Sequence, residues 1–320
     1  MKKTLCLLLS CLVLTGLFSG CGKTDEPAVF TQPSAPTESP EEARSLNIMI
    51  LGSSRSVNTF QLLYEAFKDQ MPEQELVLGV MYYSGCSMTM HTNFIKTNQA
   101  VYDYYCNDSG QWNIQKEVTM DTGLMARAWD VILLQAGSGD LANNMNEPCR
   151  TFLKEYVDSK VYHPHTLWWH STWFNSTDPV LYDPSKTNLI PENIDQYKQL
   201  TDGIDAAKAY VMDDPMFAGH ITSGTPMMYA LKVLEVPETE LYRDHTHLSD
   251  FGCLLVAFAW YAQYTGNPVT QINLDTIPVH LRHARFQDQG PLVVTEEMKE
   301  IIIKTVDYTL KNPWSVPVKE

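Results

Sequence analysis

Residues Leu46–Ser56 read LNIMILGSSRS, and the rest of the chain is interpreted outward from them. Leu46–Leu51 is apolar except at Asn47, without the alternation of a half-buried strand. A run of that kind is covered on both faces, the usual state of strands in parallel sheets flanked by helices. It leads directly into the small polar turn Gly52-Ser53-Ser54-Arg55, so a serine hydroxyl stands just past a core strand.

Beyond that turn, strand and helix patterns alternate. Asn58–Gln70 carries Phe60, Leu63, Tyr64 and Phe67 at helical spacing, and Glu75–Tyr83 reads as a second strand ending at Ser84-Gly85-Cys86-Ser87. Val101–Lys116 alternates aromatic residues around Asn107-Asp108-Ser109-Gly110, a hairpin signal beside the main sheet. Val118–Arg127 predicts a short helix, and Asp130–Gln135 a strand ending at Ala136-Gly137-Ser138-Gly139-Asp140. Helices are expected over Pro148–Val157, Asn193–Met212, Thr225–Leu234 and Glu296–Leu310, with strands at Thr166–His170 and His220–Thr222. This order implies an α/β fold with a mostly parallel sheet covered on both faces. Sites in such sheets gather at the carboxyl ends of strands, here Gly52–Ser56, Ser84–Ser87, Gln135–Asp140 and His170–Trp173.

The second informative stretch is Leu241–Gly266, LYRDHTHLSDFGCLLVAFAWYAQYTG. It crowds Asp244-His245-Thr246-His247 before a long apolar helix, with Ser249 or Asp250 placed as N-cap. An imidazole beside a carboxylate is the material of a general base and its orienter, and Ser54 is the hydroxyl it would serve. Each piece alone has a plainer reading, since a serine after a strand or an Asp-x-x-His before a helix commonly serves only as a cap.

The chain has 320 residues, 44% of them hydrophobic. Met1-Lys2-Lys3, the apolar run Leu5–Phe18 and Ser19-Gly20 before Cys21 read as a secretory signal over residues 1–20. The apolar run is too short for the roughly 20 residues of a membrane crossing. Leu17–Cys21 resembles the bacterial lipobox, so Cys21 is expected to carry lipid and hold the domain outside the cytoplasm. Residues 21–45, rich in Pro, Ser, Thr and Glu, form an expected disordered tether. Residues 46–320 suit one domain. Without Lys2 and Lys3 the balance is 21 basic against 38 acidic residues, a net charge of −17. That argues against nucleic acid as a partner and limits membrane contact to the N-terminal lipid. Cys86, Cys106, Cys149 and Cys253 allow up to two disulfides in an oxidising exterior, or four buried thiols. His163, His165 and His170 lack a Cys or carboxylate to complete a ligand set, so neither metal nor other cofactor is expected.

The ordered blocks Gly52-Ser53-Ser54-Arg55, Gly85, Gly137-Ser138-Gly139-Asp140 and Asp244-His245-Thr246-His247 resemble the SGNH, or GDSL-type, hydrolase superfamily. Trp129–Gln135 and Arg243–Ser249 are similar to a branch of exported bacterial lipoproteins within it. The resemblance implies a three-layer sandwich with a flavodoxin-like central sheet. It also implies a cell-surface serine esterase acting on a small ester, such as a carbohydrate O-acetyl group. Ser54 would be the nucleophile, His247 the base and Asp244 its orienter, with His245 the competing base. The Ser54 and Gly85 amides would bind the oxyanion. The family's asparagine appears here as Gly139, which has no side-chain donor, and Gln135 is the proposed substitute. Ser53 also departs from the family's usual Asp or Asn. Arg55, Trp169 and Trp173 are candidates for substrate contact, Arg55 as a partner for an acidic group or a solvent-facing salt bridge, the tryptophans as faces for a sugar ring. The rival expectation is a carbohydrate-binding lipoprotein that keeps the fold without turnover; a two-lobed solute-binding protein ranks third.

Overall fold

Strand β1 (Leu46–Gly52) lies between β2 (Leu76–Tyr82) and β5 (Val131–Gln135), parallel to both, as its two-sided apolar character requires. The computed structural model describes residues 45–135, 147–278 and 290–319. The expected signal, Cys21, the tether up to residue 44 and the Gly137–Asp140 block lie outside the described residues. Beyond β5 the sheet continues in parallel through β6 (Thr166–Ser171) and β7 (Gly219–Thr222). On the other side of β2, the aromatic hairpin β3 (Tyr102–Asp108) and β4 (Gln111–Val118) adds two antiparallel strands. The hairpin expected beside the sheet thus forms its edge. Ser109 and Gly110 both take positive φ at its tip, the conformation of a two-residue turn that matches strand twist. A separate antiparallel ribbon joins β8 (Thr276–Ile277) and β9 (Leu292–Val293).

Strand alternation divides the core in two. Ile48, Ile50, Leu78, Val80 and Leu133 face one layer, while Met49, Leu51, Met81, Ile132 and Leu134 face the other. The first layer is built around α9 (Asp250–Thr265), buried along nearly its whole length. It packs against α1 (Ser54–Phe60), α2 (Leu63–Gln70), α7 (Gly224–Lys232) and α10 (Glu296–Lys311). A helix apolar on every side has no solvent face to offer, and each fully buried Leu, Val or Phe contributes about 1.5–3 kcal/mol. The second layer holds α3 (Met88–Lys96), α4 (Met120–Leu124) and α5 (Glu147–Lys160). Between β6 and β7, α6 (Gln196–Tyr210) lends Leu200 and Ile204 to the first layer and Ala206 and Ala207 to the second.

Among the described residues the strand order of the main sheet is β4-β3-β2-β1-β5-β6-β7. Its parallel part has the flavodoxin-like order, which reverses direction between β1 and β5. The helices that follow those two strands pack on opposite layers, α1 with the first and α5 with the second. A crevice is therefore expected where the carboxyl ends of β1 and β5 meet.

Candidate functional site

Ser54 is the first residue of α1, half-buried at that rim. Its position is set by a polar knot beneath it. The Ser53 N–H donates to Ser56 Oγ at 3.1 Å, the Ser56 hydroxyl donates to Gln135 Oε1, and Gln135 Nε2 donates to Ser53 Oγ at 3.1 Å. The end of β5 thereby grips the turn that leaves β1. Gly52 permits this approach, because a Cβ there would collide with Ser56 Oγ and Gln135 Oε1. As the first helical residue, Ser54 also presents one of the first-turn N–H groups that lack an intrahelical acceptor.

The opposing loop is pinched shut before α9. Tyr242 and Leu248 form an antiparallel bridge, and the Arg243 N–H donates to the His247 carbonyl at 3.0 Å. Ser249 is the N-cap of α9, its hydroxyl accepting from the Gly252 N–H at 3.1 Å. Inside the loop, Asp244 Oδ1 accepts from the Thr246 and His247 backbone N–H groups at 2.9 and 2.8 Å. His247 Nδ1 lies 3.0 and 2.9 Å from the two Asp244 oxygens, and its Nε2 lies 2.9 Å from Ser54 Oγ. A ring nitrogen facing a carboxylate holds the proton, which leaves Nε2 to accept from the Ser54 hydroxyl. Partial burial pushes the Asp244 carboxyl up, but the hydrogen bond and charge of the His247 ring and the two backbone donors outweigh it. The net effect holds Asp244 well below the ordinary carboxylate range.

Gly85 sits in an exposed turn after β2 at φ +62°. The turn closes through the Cys86 N–H on the Tyr83 carbonyl at 3.1 Å, and the Tyr83 N–H reaches the Gly52 carbonyl at 3.3 Å. This brings the second strand end beside the nucleophile turn. Gln135 is almost wholly buried with its amide engaged by Ser53 and Ser56, so its place is in the support of the turn. His245 packs its ring 5.0 Å from that of Tyr182, while His247 is the imidazole that reaches Ser54.

Burial leaves the three side chains expected to contact substrate almost no surface. Arg55 is 2% exposed, pairs with no carboxylate at contact distance among the described residues, and donates to the Trp173 carbonyl, Asn175 Oδ1 and Thr246 Oγ1. Trp169 is fully buried against Phe217, and Trp173 is 1% exposed with its indole N–H on the Thr246 carbonyl at 2.9 Å. Neither ring has a face to give a ligand. His163, His165 and His170 go to separate partners, Asp130, Asp158 and Ser223. Burial pushes the His170 ring down to about 3. Cys86, Cys106, Cys149 and Cys253 are free thiols.

Sequence reading missed Glu238. Its half-buried carboxylate accepts from the Ser176 and Thr177 hydroxyls, the Thr177 and Asp178 backbone N–H groups and Gln196 Nε2. These bonds pin the segment after β6 against the base loop, where the Ser176 N–H also donates to the His245 carbonyl at 2.9 Å. A glutamate six residues ahead of Asp244 carries no pattern that distinguishes it from a surface helix residue.

Residues 47–288 match the family described as "Domain of unknown function (DUF4886)". A crystal structure of a DUF4886 family protein from Bacteroides uniformis ATCC 8492 has a TM-score of 0.69 at 20% identity, covering 86% of this chain and 98% of that one. At that identity the likeness extends to the fold. An acetyl xylan esterase matches with a TM-score of 0.41 at 14% identity, over 68% of this chain and 99% of that one. A gut microbial diltiazem-metabolizing enzyme gives 0.39 at 12% identity, over 74% and 49%. Likeness at that level says nothing about activity. No curated protein matches the chain.

Proposed function

The chain belongs to the DUF4886 family, and on that footing we propose that it is a serine hydrolase of the SGNH type that cleaves a small ester. The observation that carries the reading is the 2.9 Å approach of His247 Nε2 to Ser54 Oγ, made by segments 193 residues apart. That separation leaves local helix capping without an explanation for the contact.

In the proposed reaction, His247 Nε2 takes the Ser54 proton as Oγ attacks the ester carbonyl. Asp244, kept ionised by its donors, holds the ring and stabilises the imidazolium that forms. The tetrahedral oxyanion receives the Ser54 and Gly85 N–H groups. Collapse expels the alcohol with the proton returned by His247, and a water repeats the sequence on the acyl-enzyme. The Gln135 amide is taken up by Ser53 and Ser56, so it is not included as a third donor. Loss of one oxyanion donor typically lowers the rate about 100- to 1,000-fold, so modest turnover is expected. A carbohydrate O-acetyl group is the substrate class implied by resemblance alone, since the buried tryptophans remove the sugar-stacking argument. Export with lipid on Cys21 belongs to the same proposal.

The test is turnover of p-nitrophenyl acetate and labelling by a fluorophosphonate probe, each in wild type and Ser54→Ala. Covalent attachment at Ser54, with both signals lost in the variant, is expected. Equal turnover by the two chains would remove Ser54 from the scheme. Glycan binding without labelling would favour the non-catalytic carbohydrate-binding reading.

A further inference from the structure

Arg55 directly follows the proposed nucleophile, yet it is 2% exposed and forms no ion pair with a carboxylate among the described residues. Its guanidinium is buried to 2% exposure and lies over the Trp173 ring, 5.2 Å from the centroid. Nη1 donates to the Trp173 carbonyl, and Nη2 donates to Asn175 Oδ1 at 2.6 Å and Thr246 Oγ1 at 2.7 Å. The Trp173 indole closes the ring of contacts by donating to the Thr246 carbonyl at 2.9 Å. All three acceptors are neutral. Burial lowers the guanidinium to about 10, against the opposing influence of Tyr242 and Asp244, so it remains a cation at neutral pH.

A buried charge without an ion-pair partner is a poor way to gain stability, because apolar side chains of similar volume pack at least as well. What this guanidinium joins is more informative. Its own backbone belongs to the nucleophile turn, Thr246 lies between His245 and His247, and Trp173 and Asn175 belong to the segment after β6. Three separate segments therefore meet on one planar group with a fixed fork of donors, a geometry that lysine does not reproduce.

We infer that Arg55 is a positioning residue: its guanidinium locks the base loop to the nucleophile turn and so fixes His247 against Ser54. The inference rests on the serine-hydrolase reading. It also argues against a part for Arg55 in substrate recognition, since both Nη atoms bond within the protein and the side chain is 2% exposed. Small misplacements of reacting groups cost about 100-fold in rate, and that is the scale expected here.

The test uses the whole exported chain and a fluorophosphonate probe, which reports Ser54 activation without knowledge of the natural substrate. The inactivation rate constant at saturation and the probe's half-saturation concentration are measured separately for wild type, Arg55→Met, Arg55→Lys and Thr246→Val, with circular dichroism melts to check folding. Arg55→Met is expected to lower the rate constant about 100-fold with the half-saturation concentration changed less than about threefold. Arg55→Lys should stay close to Arg55→Met. Thr246→Val, which removes one acceptor and leaves Arg55 in place, should lower the rate constant about tenfold. An unchanged rate constant in folded Arg55→Met, or full recovery in Arg55→Lys, overturns the inference. If Arg55→Met does not fold, Thr246→Val decides, and a wild-type rate constant there overturns it. Absence of labelling in wild type instead overturns the hydrolase reading beneath it.

Discussion

Asp244 receives donors from its own loop before it receives the imidazole, so its ionisation and its direction are fixed together. Replacement by Asn keeps the shape but reverses the preference for a proton on Nδ1. Under the proposed mechanism Asp244→Asn should reduce fluorophosphonate labelling about 10,000-fold, and labelling near the wild-type rate would exclude Asp244 as the orienter. The same depressed carboxyl makes a stability statement. Its contribution is fully present above the unfolded value of about 3.9 and is lost as pH falls through the lower folded value. The fall in urea midpoint between pH 6 and pH 2.5 should therefore be smaller in Asp244→Asn than in wild type. Gln135 carries a different expectation: Gln135→Leu removes the donor to Ser53 Oγ and the acceptor of the Ser56 hydroxyl, while Ser56 Oγ keeps the Ser53 N–H, at a cost of about 1–3 kcal/mol read as a lower denaturant midpoint. That Ser54, Asp244 and His247 would meet could be anticipated from sequence because each sits in a short polar block at the edge of an apolar run. The burial of Arg55, Trp169 and Trp173 was not legible. An arginine is normally solvent-facing, and whether an aromatic ring is covered depends on neighbours dozens of residues away.

At the scale of elements, the junction of α8 (Glu238–Leu241) with α9 shows how tightly the base loop is built. A Cβ on Gly252 would collide with the Leu241 carbonyl oxygen, which is backbone and cannot swing away. Gly252→Ala should lower the melting temperature, and it should slow labelling of Ser54 because the displaced end of α9 carries the loop. A second expectation concerns α2. Glu65 is 5% exposed, neither carboxylate oxygen has a hydrogen-bond partner among the described residues, and burial pushes the group up to about 8. A folded pKa above the unfolded value of about 4.3 means stability is fully present below that value and declines as pH rises towards 8. Glu65→Gln does not titrate, so its stability relative to wild type should rise between pH 5 and pH 8 by on the order of 3 kcal/mol in chemical denaturation. A constant difference across that range would show that Glu65 is not held protonated. Element boundaries follow the same logic of visibility. The long apolar run of α9 was legible, although only the Ser249–Gly252 hydrogen bond decides between Ser249 and Asp250 as its cap. The helix expected over Asn58–Gln70 starts earlier, at Ser54, because Ser56 Oγ accepts from the Ser53 N–H, and it divides at Gln61–Leu62. Helix α3 was not legible, for MTMHTNFIK is rich in threonine and poor in strong helix formers, and tertiary packing together with the Ser87 cap overrides that.

At the scale of the molecule, the described residues are organised around a seven-stranded sheet with a separate apolar layer on each side, and the proposed chemistry sits where the two layers part company at the ends of β1 and β5. This arrangement makes the layers dependent on each other, because every central strand supplies alternate side chains to both. Ile48 and Ile50 cannot leave the α9 side without Met49 and Leu51 disturbing the α5 side. Two free thiols report on this directly. Cys253 lies in the α9 layer, fully buried, with its thiol pushed up by that burial, and Cys149 lies in the opposite layer at 8% exposure. Buried thiols react with alkylating reagents only when the structure opens. If the sheet couples the layers, modification of Cys149 and Cys253 in mild urea, resolved by peptide mass spectrometry, should give opening free energies agreeing within about 0.5 kcal/mol and falling with parallel slopes. Opening of Cys149 at markedly lower free energy would mean the α5 layer detaches alone. The rim at Gln135 would then loosen while the Ser54–His247 side stays closed, and Ser54 labelling would not track global stability.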